Sequence, residues 1–182
     1  MSEPKRSKVD VVEKVLQHEG GYQNNKADAA NKNSKGEWVG TKYGITPAVY
    51  EEYFGKTPTQ QDMRKLKRED AKKIYEERYV APIKRNLGVD ESNPAFPQMV
   101  DMAVNHGYSG MVAMLQRATG ATVDGKAGPG TRQALQNVDP MALNEALVST
   151  RIQEYDRITK ARPETSAFLE GWINRAQSFL DG

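Results

Sequence analysis

The sequence predicts a mainly α protein with a small β-hairpin in its first third and a helical C-terminal part, folded as a single compact globule. Three observations predict it. Apolar residues recur at helical spacing from Thr46 nearly to the end of the chain. The long stretch that lacks this pattern, residues 22–40, is polar and leads into short extended pieces over residues 37–45 that suit a hairpin. The length of 182 residues, 37% of them apolar and 27% charged, suffices for a packed core and predicts one domain, or one domain with a small appended lobe.

Each element has its own signal. Val9, Val12 and Leu16, with Val11 and Val15 beside them, give a first amphipathic helix over residues 9–18. Gly20 and Gly21 stop it and leave Glu19 at its C-terminal end. Residues 22–40 carry almost no apolar side chain before Trp38, and connections of that length are usually lids or binding loops. Thr46-Pro47 reads as an N-cap followed by proline at the first helical position, opening a helix through Phe54. Thr59-Gln-Gln-Asp62 resembles a capping box with Asp in the last place, and a further helix covers residues 68–78. Pro82 and residues 88–97 break the pattern.

Phe96, Val100, Ala103 and Val104 then mark a buried helix that ends at His106-Gly107. Val112, Leu115 and Ala118 form one face of the next, over residues 110–119. After a Gly-rich loop come a short helix over residues 131–137 and a long one over residues 140–160. The last helix carries Phe168, Trp172, Ile173, Ala176 and Phe179. Met99, Met102, Met111 and Met114 sit at helical spacing and read as core filler.

Composition excludes several classes of function. With no cysteine, disulfides, thiolate nucleophiles and Cys-based metal sites are ruled out. A net charge of +2, with no dense Lys/Arg stripe interleaved with aromatics, argues against a nucleic-acid partner. No apolar run approaches the roughly 18 to 20 residues that span a bilayer, so no stable membrane insertion is expected. The polar start Met-Ser-Glu-Pro-Lys-Arg has no apolar core of a signal peptide, which leads us to expect synthesis in the cytoplasm and another route of exit. His18 and His106 lack a matching carboxylate cluster, so no metal and no cofactor are expected. No Ser or Thr has the His/Asp arrangement of an amidase or esterase.

Three strings are able to carry chemistry. His18-Glu19-Gly-Gly-Tyr22 places an acid at a helix end, between an apolar face and a tight turn. Partial desolvation there would favour the protonated carboxyl, able to donate to a leaving oxygen near neutral pH. The same residues also read as a surface acid followed by a glycine C-cap. In Thr41-Lys-Tyr-Gly-Ile-Thr46, Tyr43 can pack on a sugar face, Gly44 permits close approach, and both threonines can hold a water or hydroxyl. Read alone, that string is equally a strand and an N-cap. Asp124-Gly-Lys-Ala-Gly-Pro-Gly-Thr131 is a Gly-rich turn, either purely structural or offering Asp124 to a ligand.

Taken in order, the helix ending at Glu19, the polar loop and Thr41-Lys-Tyr-Gly-Ile-Thr46 resemble the start of the glycoside hydrolase family 108 muramidases. These are lysozyme-like enzymes found among phage endolysins. The segment from Tyr75 to Pro82 continues the likeness, and so does Asp101-Met-Ala-Val-Asn105-His-Gly107, similar to a buried helix end beside the family's substrate groove. The Asp124 turn looks like that of small helical peptidoglycan-binding modules. The resemblance thus implies a lysozyme-like α+β catalytic region over residues 1–108, with a peptidoglycan-binding region over residues 109–182 packed on it.

What it implies chemically is hydrolysis of the β-1,4 bond between N-acetylmuramic acid and N-acetylglucosamine. Glu19 would be the general acid, Asp28 the candidate base and Thr41 a catalytic partner, with Tyr43, Thr46, Asp101, Asn105 and Asp124 contacting substrate. Asp28 lies nine positions after Glu19, a spacing similar to that in related phage lysozymes; Glu37 is the fallback. An inverting enzyme would hold its two carboxyls roughly 6.5 to 9.5 Å apart, a retaining one roughly 5 to 5.5 Å. The expected partner is the peptidoglycan glycan strand, met by a monomer that is released from the host cytoplasm at lysis. The alternatives are a lytic transglycosylase, told apart by anhydro product ends, and a wall-binding protein that has lost activity. A secreted interbacterial toxin would share the chemistry.

Overall fold

A computed structural model of the chain describes residues 10–181. It is mostly helical, with one small antiparallel sheet, a lysozyme-like α+β fold. Val9, counted above in the first helix, lies outside the described residues. The chain divides into two compact units, one ending at Arg78 and one beginning at Tyr79.

In the first unit, α1 (Val11–His18) is capped by Asp10, whose carboxylate accepts from the Glu13 amide. Its apolar stripe Val11, Val12, Val15 and Leu16 is buried, and α1 packs on α4 (Arg68–Tyr75) through Ala71, Ile74 and Tyr75. Ion pairs Asp10–Lys72 and Glu13–Arg68 flank that seam at the surface. Strands β1 (Tyr22–Gln23) and β2 (Thr41–Lys42) pair antiparallel. The expected extended segment at residues 37–45 is therefore half of a hairpin, and its partner is Tyr22–Gln23, across the polar loop. Local pairing could not reveal that partner, since strands of two residues have no alternation to read.

Helices α2 (Pro47–Phe54) and α3 (Gln60–Lys65) begin where the caps predict. Thr46 Oγ1 accepts from the Val49 amide at 3.4 Å. Thr59 and Asp62 exchange both capping-box bonds, at 3.1 and 2.9 Å. Helix α4 gives way to a π-helical turn, Glu76–Val80, sooner than the sequence suggests.

The second unit departs from expectation at Pro82. Far from breaking a helix, Pro82 sits in the first turn of α5 (Ala81–Leu87), directly after the π-helical turn Glu76–Val80, the kind of irregular winding at which helices bend. Helix α6 (Phe96–Thr119) breaks at Gly107, with φ 74° and ψ 161°, a backbone region open in practice only to glycine. That single residue accounts for the two helices read from the sequence. Then follow α7 (Pro129–Asn137), α8 (Pro140–Ala161), a 3-10 segment (Pro163–Phe168) and α9 (Leu169–Gln177). The core forms where α6 meets α8, around Phe96, Met99, Met102, Met111, Leu115, Leu143 and Leu147, all fully buried. Met114 is buried as well. Among the described residues no helix is long and apolar enough to cross a membrane.

Candidate active site

The site forms where α1 ends against the β2 turn. Glu19 is the C-cap of α1: its amide still donates to the Leu16 carbonyl, and its φ/ψ of −89°/27° have left the helix. Gly20, at φ 36°, swings the chain into β1. The Glu19 side chain is half-buried. Beyond β2, Tyr43 and Gly44 form a two-residue turn closed by Ile45 N–H to Lys42 O at 2.8 Å and Lys42 N–H to Ile45 O at 3.2 Å. Both turn residues have positive φ, 52° and 73°, as a type I′ turn demands. Glycine accepts this freely; Tyr43 does so at some cost in strain, and such strain gathers at functional sites.

Gly44 is also required for space. A Cβ there would come within 3.0 Å of Glu19 Oε2, 3.1 Å of Glu19 Cγ and 2.3 Å of the Tyr75 hydroxyl. The turn backbone, the Glu19 carboxylate and Tyr75 therefore meet at one point. Tyr75 Oη donates to the Tyr43 carbonyl at 2.7 Å, so a buried phenol on α4 braces the turn against which Glu19 lies. The sequence reading missed this role of Tyr75. Its place on the buried face of α4 was the available signal, because a buried tyrosine hydroxyl needs a partner.

Thr41, one residue back on β2, is buried at 8% exposure, and its Oγ1 has no hydrogen-bond partner among the described residues. Buried hydroxyls are nearly always satisfied, so this one, two residues before the turn, is an exception. Thr46 is committed as the α2 cap. Tyr43 is partly exposed, with the Lys42 ammonium 5.1 Å over its ring.

Asp28 is exposed and caps the short 3-10 helix Ala29–Asn31, accepting from the Ala30 amide at 3.0 Å. The polar loop around it is built by its amide side chains. Asn31, fully buried, exchanges side-chain hydrogen bonds with Gln23 at 3.1 and 2.9 Å, and its carbonyl accepts from Val39 and Gly40. Asn33 donates to Glu37 Oε2 at 2.8 Å and to the Pro58 carbonyl at 3.0 Å. Glu37 itself is exposed.

Three predicted substrate contacts fall in the second unit. Asp101 is fully buried. Arg151 donates to its Oδ2 at 2.7 Å, Arg175 to its Oδ1 at 3.0 and 2.8 Å, and Asn105 to Oδ2 at 3.2 Å. Its carboxylate thus ties α6 to α8 and α9. Asn105 is exposed, on the wall of a cleft of about 370 Å³. Asp124 accepts from the Lys126 amide and from Gln116, and these bonds hold its carboxyl below the ordinary range. The buried Gln116 also bonds Lys126 O, Thr131 Oγ1 and the amides of Asp124 and Gly125, so the Gly-rich turn is organised from within. Among the described residues no cluster of His, Asp and Glu able to hold a metal occurs.

A half-buried acid held against a hairpin turn, on a lysozyme-like fold, is the frame of a glycoside hydrolase, here one that acts on peptidoglycan. The sequence comparisons agree and are more specific. The profile of the glycosyl hydrolase 108 family matches residues 12–107, and the chain belongs to that family. A second profile, a predicted peptidoglycan domain, matches residues 110–177. Among solved structures the chain is similar to that of SagA from Brucella abortus. Identity is 23% over 98% of this chain and 94% of that one, with a TM-score of 0.75, a likeness of fold. No curated protein matches it.

Proposed function

We propose that the enzyme cuts the β-1,4 bond between N-acetylmuramic acid and N-acetylglucosamine, with Glu19 as the general acid. The observation that carries this is the position of Glu19 against the Gly44 turn, where close approach to the backbone and the brace of Tyr75 hold one carboxyl in one place. Glu19 protonates the glycosidic oxygen as the bond breaks through an oxocarbenium-like transition state. The Thr41 hydroxyl orients the attacking water, Asp28 takes its proton, and Tyr43 and Thr46 border the sugar. The enzyme acts as a monomer on glycan strands, in a bacteriolytic role of the endolysin type.

One observation favours a second reading. Asp28 already spends one carboxylate oxygen as a helix cap. A transglycosylase, which closes a 1,6-anhydro ring with a single acid, would need no second carboxylate. To decide, purified wild type and Glu19→Gln are incubated with sacculi, the products reduced with borohydride, and their ends identified by mass spectrometry. Reducible muramic acid ends from wild type, lost in the variant, support the muramidase. Anhydro ends make it a transglycosylase, and unchanged cleavage by the variant removes Glu19 from the role.

A further inference from the structure

The polar loop of the first unit holds a cluster that the cleavage chemistry leaves unused. Two lysine ammoniums share one indole: Lys26 Nζ lies 5.0 Å and Lys32 Nζ 4.7 Å from the centroid of the Trp38 ring. The backbone sets this up. Lys32 and Trp38 form an antiparallel bridge across the turn at residues 33–36, which puts their side chains on the same face. The Asn24 side chain donates to the Trp38 carbonyl at 3.1 Å. The buried Asn31 donates to the Asn25 carbonyl at 3.0 Å and so fixes the chain beside Lys26. Tryptophan is the best aromatic partner for a cation, and here one ring gathers two.

Like charges held less than about 10 Å apart want a counter-ion, and the loop supplies none. Both lysines are exposed, and neither has a carboxylate partner among the described residues. The loop's two acids are engaged elsewhere: Asp28 caps the Ala30 amide, and Glu37 accepts from Asn33. Position says which anion fits. Trp38 precedes Thr41 by three residues, at most about 11 Å of chain. Lys42 lies 5.1 Å over Tyr43 at the site end of the same segment, so cations line it from Trp38 to the turn beside Glu19. Glycan seated at Glu19 would carry on each muramic acid a short peptide that bears carboxylates. At about 3.3–3.6 Å per residue, three residues of that peptide reach as far as Trp38. A net charge of only +2 gives the chain no broad field suited to a phosphate polymer.

We infer that the Lys26, Lys32 and Trp38 cluster binds a carboxylate of the wall's peptide stems, so that the first unit recognises the peptide as well as the sugar. The inference rests on the reading of the substrate as muramic acid glycan. It makes the polar loop a specificity element, one that favours strands with free acidic stems over strands whose stems are amidated.

The test uses the full chain in a Glu19→Gln background, so that binding is read without turnover. Co-sedimentation at low salt compares intact sacculi with sacculi whose carboxylates have been chemically amidated. Exposed ion pairs are individually weak, so two of them should give about fivefold tighter binding to the intact sacculi. That preference should fade at about 0.5 M salt, where exposed charges are screened. Lys26→Gln combined with Lys32→Gln should remove it, and Lys32→Arg, which retains the charge, should keep it. Lys35→Gln serves as the control, since Lys35 is an exposed lysine of the same loop with no ring contact among the described residues. All three positions are exposed, and matching melting curves will show that the variants fold. Equal binding to both kinds of sacculi, an unchanged preference in the double variant, or an equal loss in Lys35→Gln overturns the assignment. Cleavage is scored apart, by the glycan ends that wild type releases. A lysine-dependent preference without such ends would remove the muramidase proposal and leave the cluster standing as a wall-binding element.

Discussion

Thr41 and Gly44 test the site from opposite sides. The Thr41 hydroxyl is buried without a partner, so its removal should not harm the fold. Valine has the same shape, and exchanging an unsatisfied hydroxyl for a methyl is neutral or stabilising by up to about 1 kcal/mol. Thr41→Val should therefore keep or raise the melting temperature while sacculus hydrolysis falls by about tenfold or more. A variant with full activity would show that the hydroxyl plays no part in catalysis. Gly44→Ala should damage both properties. The added methyl meets Tyr75 Oη at a distance no side chain tolerates and crowds Glu19, and the residue sits at φ 73°. The backbone alone costs about 1–2 kcal/mol, and the displaced acid should lower turnover by about two orders of magnitude. Thermal unfolding and glycan-end release measure the two effects separately. Loss of stability with activity intact would mean that Glu19 does not depend on the turn.

At the level of elements, the Gly-rich turn shows how one buried side chain can stand in for a sheet or a disulfide. Gln116, 1% exposed, makes five hydrogen bonds to residues 124–131. Gln116→Leu keeps the volume but takes the side-chain partner from the Asp124 and Gly125 amides, and it should cost about 1–3 kcal/mol in urea unfolding. A change below 0.5 kcal/mol would show that the turn holds itself. Elements of this kind were only partly legible in the sequence. Caps were readable because they act within three residues: Thr46, Thr59 and Gly107 announced helix boundaries that the structure contains. The pairing of Tyr22–Gln23 with Thr41–Lys42 was not, because amide side chains of the intervening loop set it, not local periodicity. Asp101 shows the other limit. The family resemblance implied a ligand contact there, while the two arginines that bond its carboxylate lie 50 and 74 residues away, beyond the reach of any local pattern. The place of Glu19 at the end of α1, by contrast, could be read locally, since the Gly-Gly pair fixes where that helix must end.

For the whole molecule, the sharpest expectation concerns acid. His106 is pushed down to about 4 from its ordinary 6.5, first by burial, then by the nearby Arg151, with Arg175 adding to this and Glu154 and Asp101 opposing it. Between those two pH values an unfolded chain binds a proton at this histidine and the folded chain does not. Stability must then fall as pH falls through that window, because the unfolded state is the one that takes up protons. Discounted for the partial exposure of the ring, the loss is about 2–3 kcal/mol between pH 7 and pH 4. Carboxylates act in the same direction over part of the range. Glu154, held below its ordinary value mainly by Arg157, and Asp124, held down by the Lys126 amide, both lose their contribution as they protonate. The raw pH profile therefore cannot isolate His106, but a comparison with His106→Phe can. Phenylalanine keeps a ring against Tyr155 and removes the titration, so the two profiles should run parallel above pH 7 and diverge below about 6.5, with wild type losing more. Urea unfolding at half-unit steps, together with the His106 ring shift followed by NMR, measures both quantities. Parallel profiles down to pH 4, with the ring titrating near 6.5, would mean that the cleft admits a charged imidazole.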